Sequence, residues 1–169
     1  VGAVELVDIK EDDSAVTLRQ KVGEAVVPLL ERIIKPLLDG SLVFEEQDEA
    51  QASFCRKLRK EDGIIDFKLP AKAIYNRWRA FKTWPGTHCL HNSQSLKIGR
   101  MRVLKTELSS ANQSLCPGTI LLNDGALIVI LKIGAIEFLE LQRPGGKMLH
   151  VAEFLRGYRL EENDFFLGQ

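Results

Sequence analysis

Residues 118–141, GTILLNDGALIVILKIGAIEFLEL, contain three short apolar runs, each about as long as a β-strand. Asn123-Asp124-Gly125 separates the first run from the second, and Gly134 separates the second from the third. Asp-Gly pairs and single glycines between apolar runs are typical of tight hairpin turns. The stretch therefore predicts three antiparallel strands, at residues 118–122, 126–132 and 135–141.

A further strand is predicted upstream, at residues 96–103, where apolar and basic residues alternate. Its outer face would carry Lys97 and, after a register shift at Gly99, Arg100 and Arg102. A brief helix is predicted at residues 151–156. The fold class is therefore mainly β with flanking helices, built as a small open antiparallel barrel. The oligonucleotide-binding barrel is the commonest such design that binds nucleic acid.

The first 53 residues have a different character. Apolar residues near a 3.6-residue period follow Asp13 and Ser14, which predicts a helix that ends before Gly40 and that Pro28 kinks or divides. A lone helix cannot bury its apolar face, so residues 1–40 are expected to be the tail of an incomplete α/β domain. Residues 41–53 are acidic and predict a linker, and residues 54–169 form the barrel domain.

A second helix is predicted from Pro70 to Phe81, with Ile74 and Trp78 on its buried stripe. Residues 84–86, WPG, end it. Trp78 and Trp84 could stack on unpaired RNA bases, but we expect both to pack in the core because each stands at a structural corner.

The net charge of zero hides an asymmetry. Residues 1–50 hold 5 Lys and Arg against 12 Asp and Glu, whereas residues 51–169 hold 18 against 11. Such a basic module suits a polyanionic partner, although charge alone is equally compatible with a lysine-decorated soluble surface.

Other chemistries find little support in the sequence. The three cysteines include no CxxC pair, which argues for a reducing compartment rather than a disulfide framework. His88, Cys89 and His91 lack a second ligand pair, so we predict no metal. Glu61, Asp62 and Asp66 have no nucleophile or histidine placed with them and are interpreted as turn and cap residues. No apolar run approaches the length of a membrane span.

A family resemblance enters at residues 60–67, KEDGIIDF, which Ile74, Arg77, residues 79–81 (RAF) and WPG at 84–86 follow. This segment resembles the start of the C-terminal domain in methionyl-tRNA formyltransferases, except that Phe67 stands where the family usually has Trp. Three later segments are similar to further family elements in the same order: PGTI at 117–120, LELQRPGGKM at 139–148 and FLRG at 154–157. Residues 12–18, DDSAVTL, are similar to the last helix of the family's catalytic domain.

The resemblance implies a transferase that formylates the amino group of methionyl initiator tRNA from 10-formyltetrahydrofolate, in translation initiation. The family's catalytic Asn, His and Asp and its folate-binding loop precede the matched segment. We therefore expect no catalytic residue, no bound cofactor and no activity in this chain alone. The expected partner is initiator methionyl-tRNA, and the expected protein is a monomer of the cytoplasm or an organellar matrix.

The predicted RNA-binding residues are ten cations, which would grip backbone phosphates. They are Arg56, Lys57, Arg59, Lys60, Arg79, Lys82, Lys97, Arg100, Arg102 and Lys147. Arg77 is left out because it could pair with Asp66 or Glu61 inside the fold. Two alternatives stay open: the C-terminal domain of a nucleotide-sugar formyltransferase or another folate-dependent enzyme, and a barrel that binds protein through an apolar patch.

Overall fold

The structure is a computed structural model that describes residues 1–104 and 115–169. It divides into two compact units, Val1–Lys57 and Leu58–Gln169. The boundary falls four residues after the predicted end of the linker. None of the described helices is both long enough and apolar enough to cross a lipid bilayer.

The first unit contains one long helix, α1 (Ala15–Leu38), and a 3-10 turn at Glu49–Gln51. Ser14 caps α1, and its hydroxyl accepts a hydrogen bond from the Thr17 backbone amide. Pro28 and Pro36 both lie within α1, so Pro28 does not divide the helix. Gly40 follows the end of the helix with a φ of 72°, which confirms it as the stop.

The second unit is mainly β, which confirms the predicted fold class. A 3-10 turn (Lys60–Gly63) and helix α2 (Ala71–Ala80) precede the strands, and helix α3 (Val151–Gly157) follows them. The strands are β1 (His88–His91), β2 (Gln94–Leu104), β3 (Ile120–Asn123), β4 (Ala126–Ile130), β5 (Ala135–Gln142) and β6 (Leu149–His150).

These strands form one antiparallel sheet in the order β1-β2-β5-β4-β3, with β6 paired to β5. The β3–β4 hairpin turns at Asp124 and Gly125, whose φ angles of 46° and 80° are those of a tight hairpin. The hairpin predicted from Asn123-Asp124-Gly125 is therefore confirmed. Strands β1 and β6 were not predicted.

The predicted register shift in β2 is also confirmed. The pairing with β5 is irregular between Ile98 and Arg100, on either side of Gly99. A Cβ atom at Gly99 would lie 2.5 Å from the Met148 sulfur, so the Met148 side chain of the β5–β6 connection packs directly on the bulge at Gly99. Lys97 faces solvent before the bulge, and Arg100 and Arg102 face solvent after it, while Ile98 and Met101 stay buried.

The core of the second unit lies between the sheet and its flanking helices. Trp78 of α2 packs in it with 7% of its surface exposed, as predicted. Trp84 is 55% exposed, so its predicted place in the core is wrong. The reason is its position: Trp84 lies beyond the end of α2, in the connection to β1, where no element covers it among the described residues.

A buried polar group anchors the C-terminal segment to this core. The Nδ1 atom of His91 lies 2.9 Å from the Tyr158 hydroxyl, and its Nε2 atom lies 3.4 Å from an Asp164 carboxylate oxygen. Two residues after Asp164, the Phe166 ring packs edge-on to the His91 imidazole. Buried polar atoms need such partners because each unsatisfied one costs free energy.

Tyr158→Phe should therefore lower the free energy of unfolding by about 1 kcal/mol, since it leaves a ring nitrogen of buried His91 without its partner. Urea unfolding of the chain measures the change. Tyr75→Phe, at the only other tyrosine, is the control for loss of a hydroxyl. An equal loss in the two variants would contradict the role of the His91 contact.

Candidate nucleic-acid interface

The ten predicted cations are distributed over both units. Arg56 and Lys57 end the first unit, and Arg59 and Lys60 begin the second. The other six lie on α2 or just after it (Arg79, Lys82), on β2 (Lys97, Arg100, Arg102), and in the turn between β5 and β6 (Lys147). The structure places Lys97 of β2 and Lys60 at the same edge of the sheet, as described below.

The two arginines of β2 are paired with glutamates of β5. Arg102 Nε lies 2.5 Å from a carboxylate oxygen of Glu137, which is only 6% exposed. A buried carboxylate needs such a partner, so Arg102 has a structural role. Arg100 lies 3.7 Å from Glu140, where both side chains are partly exposed. RNA contact by these two arginines stays a prediction.

Lys97 differs from the two arginines because it lies opposite Gln142 on β5 and opposite His88 on β1. Among the described residues no carboxylate forms an ion pair with it. Its side chain passes over Gly86, since a Cβ atom there would lie 3.4 Å from Lys97 Cε. Glycine is favoured at residue 86 by its φ of 81°, and the Lys97 side chain lies in van der Waals range of that position.

The 3-10 turn at Lys60–Gly63 packs against the same edge of the sheet. Ile64 bridges to His88, and the Ile65 amide donates a 2.9 Å hydrogen bond to the His88 carbonyl. A Cβ atom at Gly63 would lie 2.3 Å from the Gly86 carbonyl oxygen, so this approach requires glycine. We call the resulting surface the edge surface: Lys60, Trp84, Gly86, His88 and Lys97.

His88 is partly buried and lies within electrostatic range of Lys60 and Glu61. Partial burial lowers the pKa of His88, and the positive charge of Lys60 lowers it further, while Glu61 acts in the opposite direction. Lys60, like Lys97, has no ion pair with any residue in the described ranges. Lys60 and Lys97 thus lie near His88, and Glu61 is the carboxylate that acts on it.

The lowered pKa of His88 predicts that stability decreases as the pH falls. The unfolded chain, with an ordinary histidine pKa of 6.5, binds the proton more readily than the folded chain does. The free energy of unfolding should therefore fall as the pH drops from about 6.5 toward the lower folded pKa. Urea unfolding of the wild type and of His88→Gln across this pH range isolates the contribution of His88 to the free energy of unfolding. The same pH dependence in both proteins would contradict it.

Arg77 and the cations of α2 have mostly internal contacts. Arg77 Nη2 donates to the Asp62 backbone carbonyl at 3.0 Å, so the predicted pairing with Asp66 or Glu61 is replaced by a backbone contact. Arg79 Nε donates to Asn76. Lys82 Nζ lies 5.3 Å from the Trp78 ring centre, which is a cation–π distance.

The residues considered as a metal cluster are separated by the geometry of β1. Successive strand residues face opposite sides, so His88 lies at the partly exposed side while Cys89 and His91 are buried. Burial also raises the pKa of the Cys89 thiol. In residues 1–104 and 115–169 no three His, Cys, Asp or Glu residues are grouped as metal ligands.

Three members of the edge surface, Trp84, Gly86 and His88, were not among the predicted site residues. His88 was considered only as a metal ligand, and Trp84 was assigned to the core. The alternation of β1 would have placed His88 outward had the strand been recognised. For Trp84 the signal was its position before Pro85, where chain connections usually reach the surface.

Comparisons with known proteins agree with this fold. The family model described as "Formyl transferase, C-terminal domain" matches residues 57–159. A methionyl-tRNA formyltransferase from Caldicellulosiruptor saccharolyticus is 32% identical over 94% of this chain and 50% of the relative. One from Solibacter usitatus is 36% identical over 93% of this chain and 49% of the relative. The chain thus spans about half the length of the curated relatives it matches.

Among solved structures, HypX from Aquifex aeolicus in complex with tetrahydrofolic acid has a TM-score of 0.58. Its sequence is 19% identical, and the match covers 96% of this chain and 30% of HypX. A HypX variant with several alanine substitutions matches with a TM-score of 0.59 at 18% identity. At this identity the likeness extends to the fold alone.

Proposed function

The chain belongs to the formyl transferase C-terminal domain family, and on that premise we propose that its second unit binds initiator tRNA for a methionyl-tRNA formyltransferase. Its curated relatives carry that enzyme's name. In this proposal the whole protein transfers a formyl group from 10-formyltetrahydrofolate to the methionyl amino group, in the cytoplasm or an organellar matrix.

The edge surface is the observation that carries the RNA-binding role. Lys60 and Lys97 are exposed cations without ion pairs among the described residues, and both lie on backbone that is fixed by hydrogen bonds. An RNA phosphate can approach them without first breaking a salt bridge. Such contacts fix the register of a nucleic acid and carry little sequence information.

The contribution of this chain to the reaction would be positioning. Binding the tRNA body holds the aminoacyl end in a reactive geometry, which converts an encounter between two molecules into a step within one complex. Residues outside the matched family segment would supply the chemistry. We propose no catalytic residue among the described ones.

The small cavity next to the edge surface does not fit the folate. It is lined by Asp62, Ile74, Arg77 and Thr87, among others, and its volume is about 10 Å³. That volume holds about one water molecule. We therefore assign the folate to no residue of this cavity and derive no step through it.

Equilibrium binding of the chain to labelled initiator tRNA tests the proposal, with a nucleotide sugar and tetrahydrofolate as unlabelled competitors. We expect a dissociation constant on the order of 1–100 µM at moderate salt, the range of phosphate-dominated binding, and no displacement by either competitor. No binding to tRNA at low salt would contradict the proposal. Binding of the nucleotide sugar instead would favour a sugar formyltransferase.

A further inference from the structure

We propose that Trp84 is a stacking platform for an unpaired base of the bound RNA. This inference deepens the proposed function and rests on it. It assigns a role to an aromatic residue that the core does not use, and it names the part of the RNA that the edge surface would contact: a loop or an end rather than a duplex.

Trp84 is 55% exposed, whereas Trp78, six residues earlier, is 7% exposed. A single exposed aromatic residue is ordinary on a protein surface, so exposure alone assigns no role. The charged residues near Trp84 support a binding role.

Cations lie near Trp84 in the chain and along the same edge of the sheet. Trp84 lies two residues before Gly86, over which the Lys97 side chain passes. It also lies two residues after Lys82, and His88 and Lys60 continue the same edge. An aromatic platform among cations is the combination that single-stranded nucleic acids bind, with phosphates on the cations and a base on the ring. An apolar protein partner would instead meet the ammonium groups of Lys60 and Lys97, which form no ion pair with the described residues.

Backbone hydrogen bonds hold the segment that carries Trp84. The Gly86 amide donates a 3.0 Å hydrogen bond to the Phe81 carbonyl, and the Ile98 amide donates a 2.8 Å bond to the Thr87 carbonyl. The segment that carries Trp84 is thereby joined to the end of α2 on one side and to β2 on the other. An indole on a fixed backbone loses little conformational entropy when a base stacks on it.

The experiment compares RNA binding by the 169-residue chain and its Trp84→Ala and Trp84→Phe variants. The probes are a labelled single-stranded RNA of about twelve nucleotides and a duplex of the same length. Trp84→Ala should weaken single-strand binding by roughly 5- to 100-fold and duplex binding less than about twofold, because only an unpaired base can stack. Trp84→Phe should retain most of the single-strand affinity, and Lys97→Ala should weaken both RNAs alike.

A second measurement uses tryptophan emission, since Trp78 and Trp84 are the only tryptophans. Stacking should quench the emission of the wild type on addition of single-stranded RNA, and this quenching should be absent in Trp84→Phe. Wild-type binding that Trp84→Ala leaves unchanged, or weakens equally for both RNAs, overturns the stacking role alone. Wild-type binding to initiator tRNA without binding to the single strand overturns the inference alone, whereas absence of wild-type binding to initiator tRNA overturns the proposed function and the inference with it.

Discussion

Phe138→Ala is expected to lower the free energy of unfolding of the second unit by about 3–5 kcal/mol. Phe138 is fully buried near the middle of β5, where it pairs with Met101 of β2 on one side and Leu127 of β4 on the other. Its ring centre lies 5.6 Å from that of Phe166 in the C-terminal segment. Truncation therefore leaves a cavity where the central strands and the tail meet.

Urea unfolding monitored by circular dichroism measures this loss. Phe165→Ala is the matched control. Phe165 neighbours Phe166 in the chain but is 48% exposed, so its truncation should cost less than about 1 kcal/mol. If the two alanine variants were equally stable, β5 would not be the centre of the core.

The double change Lys60→Ala and Lys97→Ala is expected to weaken binding of initiator tRNA by roughly 10- to 100-fold at about 0.1 M salt. The physical reason is that each lost phosphate contact removes the release of about one counterion, which is worth several-fold in affinity at that salt concentration. Because both lysines are exposed and form no ion pair with the described residues, their removal should leave the fold intact.

A matched control for this double change lies at the other end of the sheet. Lys68 and Lys132 are exposed, and the Lys132 amide bonds to the Phe67 carbonyl, so the two lysines lie near each other. Lys132 lies between β4 and β5, close to Ala135, which pairs with Leu104 at the end of β2. Lys97 lies near the start of β2, where it pairs with Gln142. Lys68→Ala with Lys132→Ala removes the same charge. An equal loss of affinity in both double variants would mean that binding follows net charge and not the edge surface.

The sequence was sufficient for the parts of the fold that depend on local signals. The β3–β4 hairpin follows from Asn123-Asp124-Gly125, and the bulge in β2 follows from Gly99 within an alternating run. The start of α1 directly after Asp13 and Ser14 is equally local. Each depends on residues that are neighbours in the chain, so composition and spacing carry the information.

Strand β1 was missed because nothing local marks it. Its four residues, His-Cys-Leu-His, do not alternate between apolar and polar types, and Asn92 and Ser93 turn directly into β2. It is a strand because β2 pairs with it and because the 3-10 turn at Lys60–Gly63 packs beside it. The edge surface could not be predicted for the same reason, since it depends on the pairing of β1 with β2.

The roles of individual cations required contacts that are distant in sequence. Arg102 and Glu137 are 35 residues apart and meet only through the β2–β5 register. From the sequence, Arg102 and Lys97 were equivalent basic residues on one strand face. The structure separates them, because one neutralises a buried carboxylate and the other faces solvent without an ion pair in the described chain.

The central claim is that the edge surface binds RNA phosphates, and a salt titration of initiator tRNA binding tests it most directly. The logarithm of the affinity of the wild-type chain should fall linearly with the logarithm of the salt concentration, with a slope of several units. The variant with Lys60→Ala and Lys97→Ala should have a slope smaller by about two, one for each lost phosphate contact. An affinity that does not change with salt, or a slope that the double variant leaves unchanged, would contradict the claim.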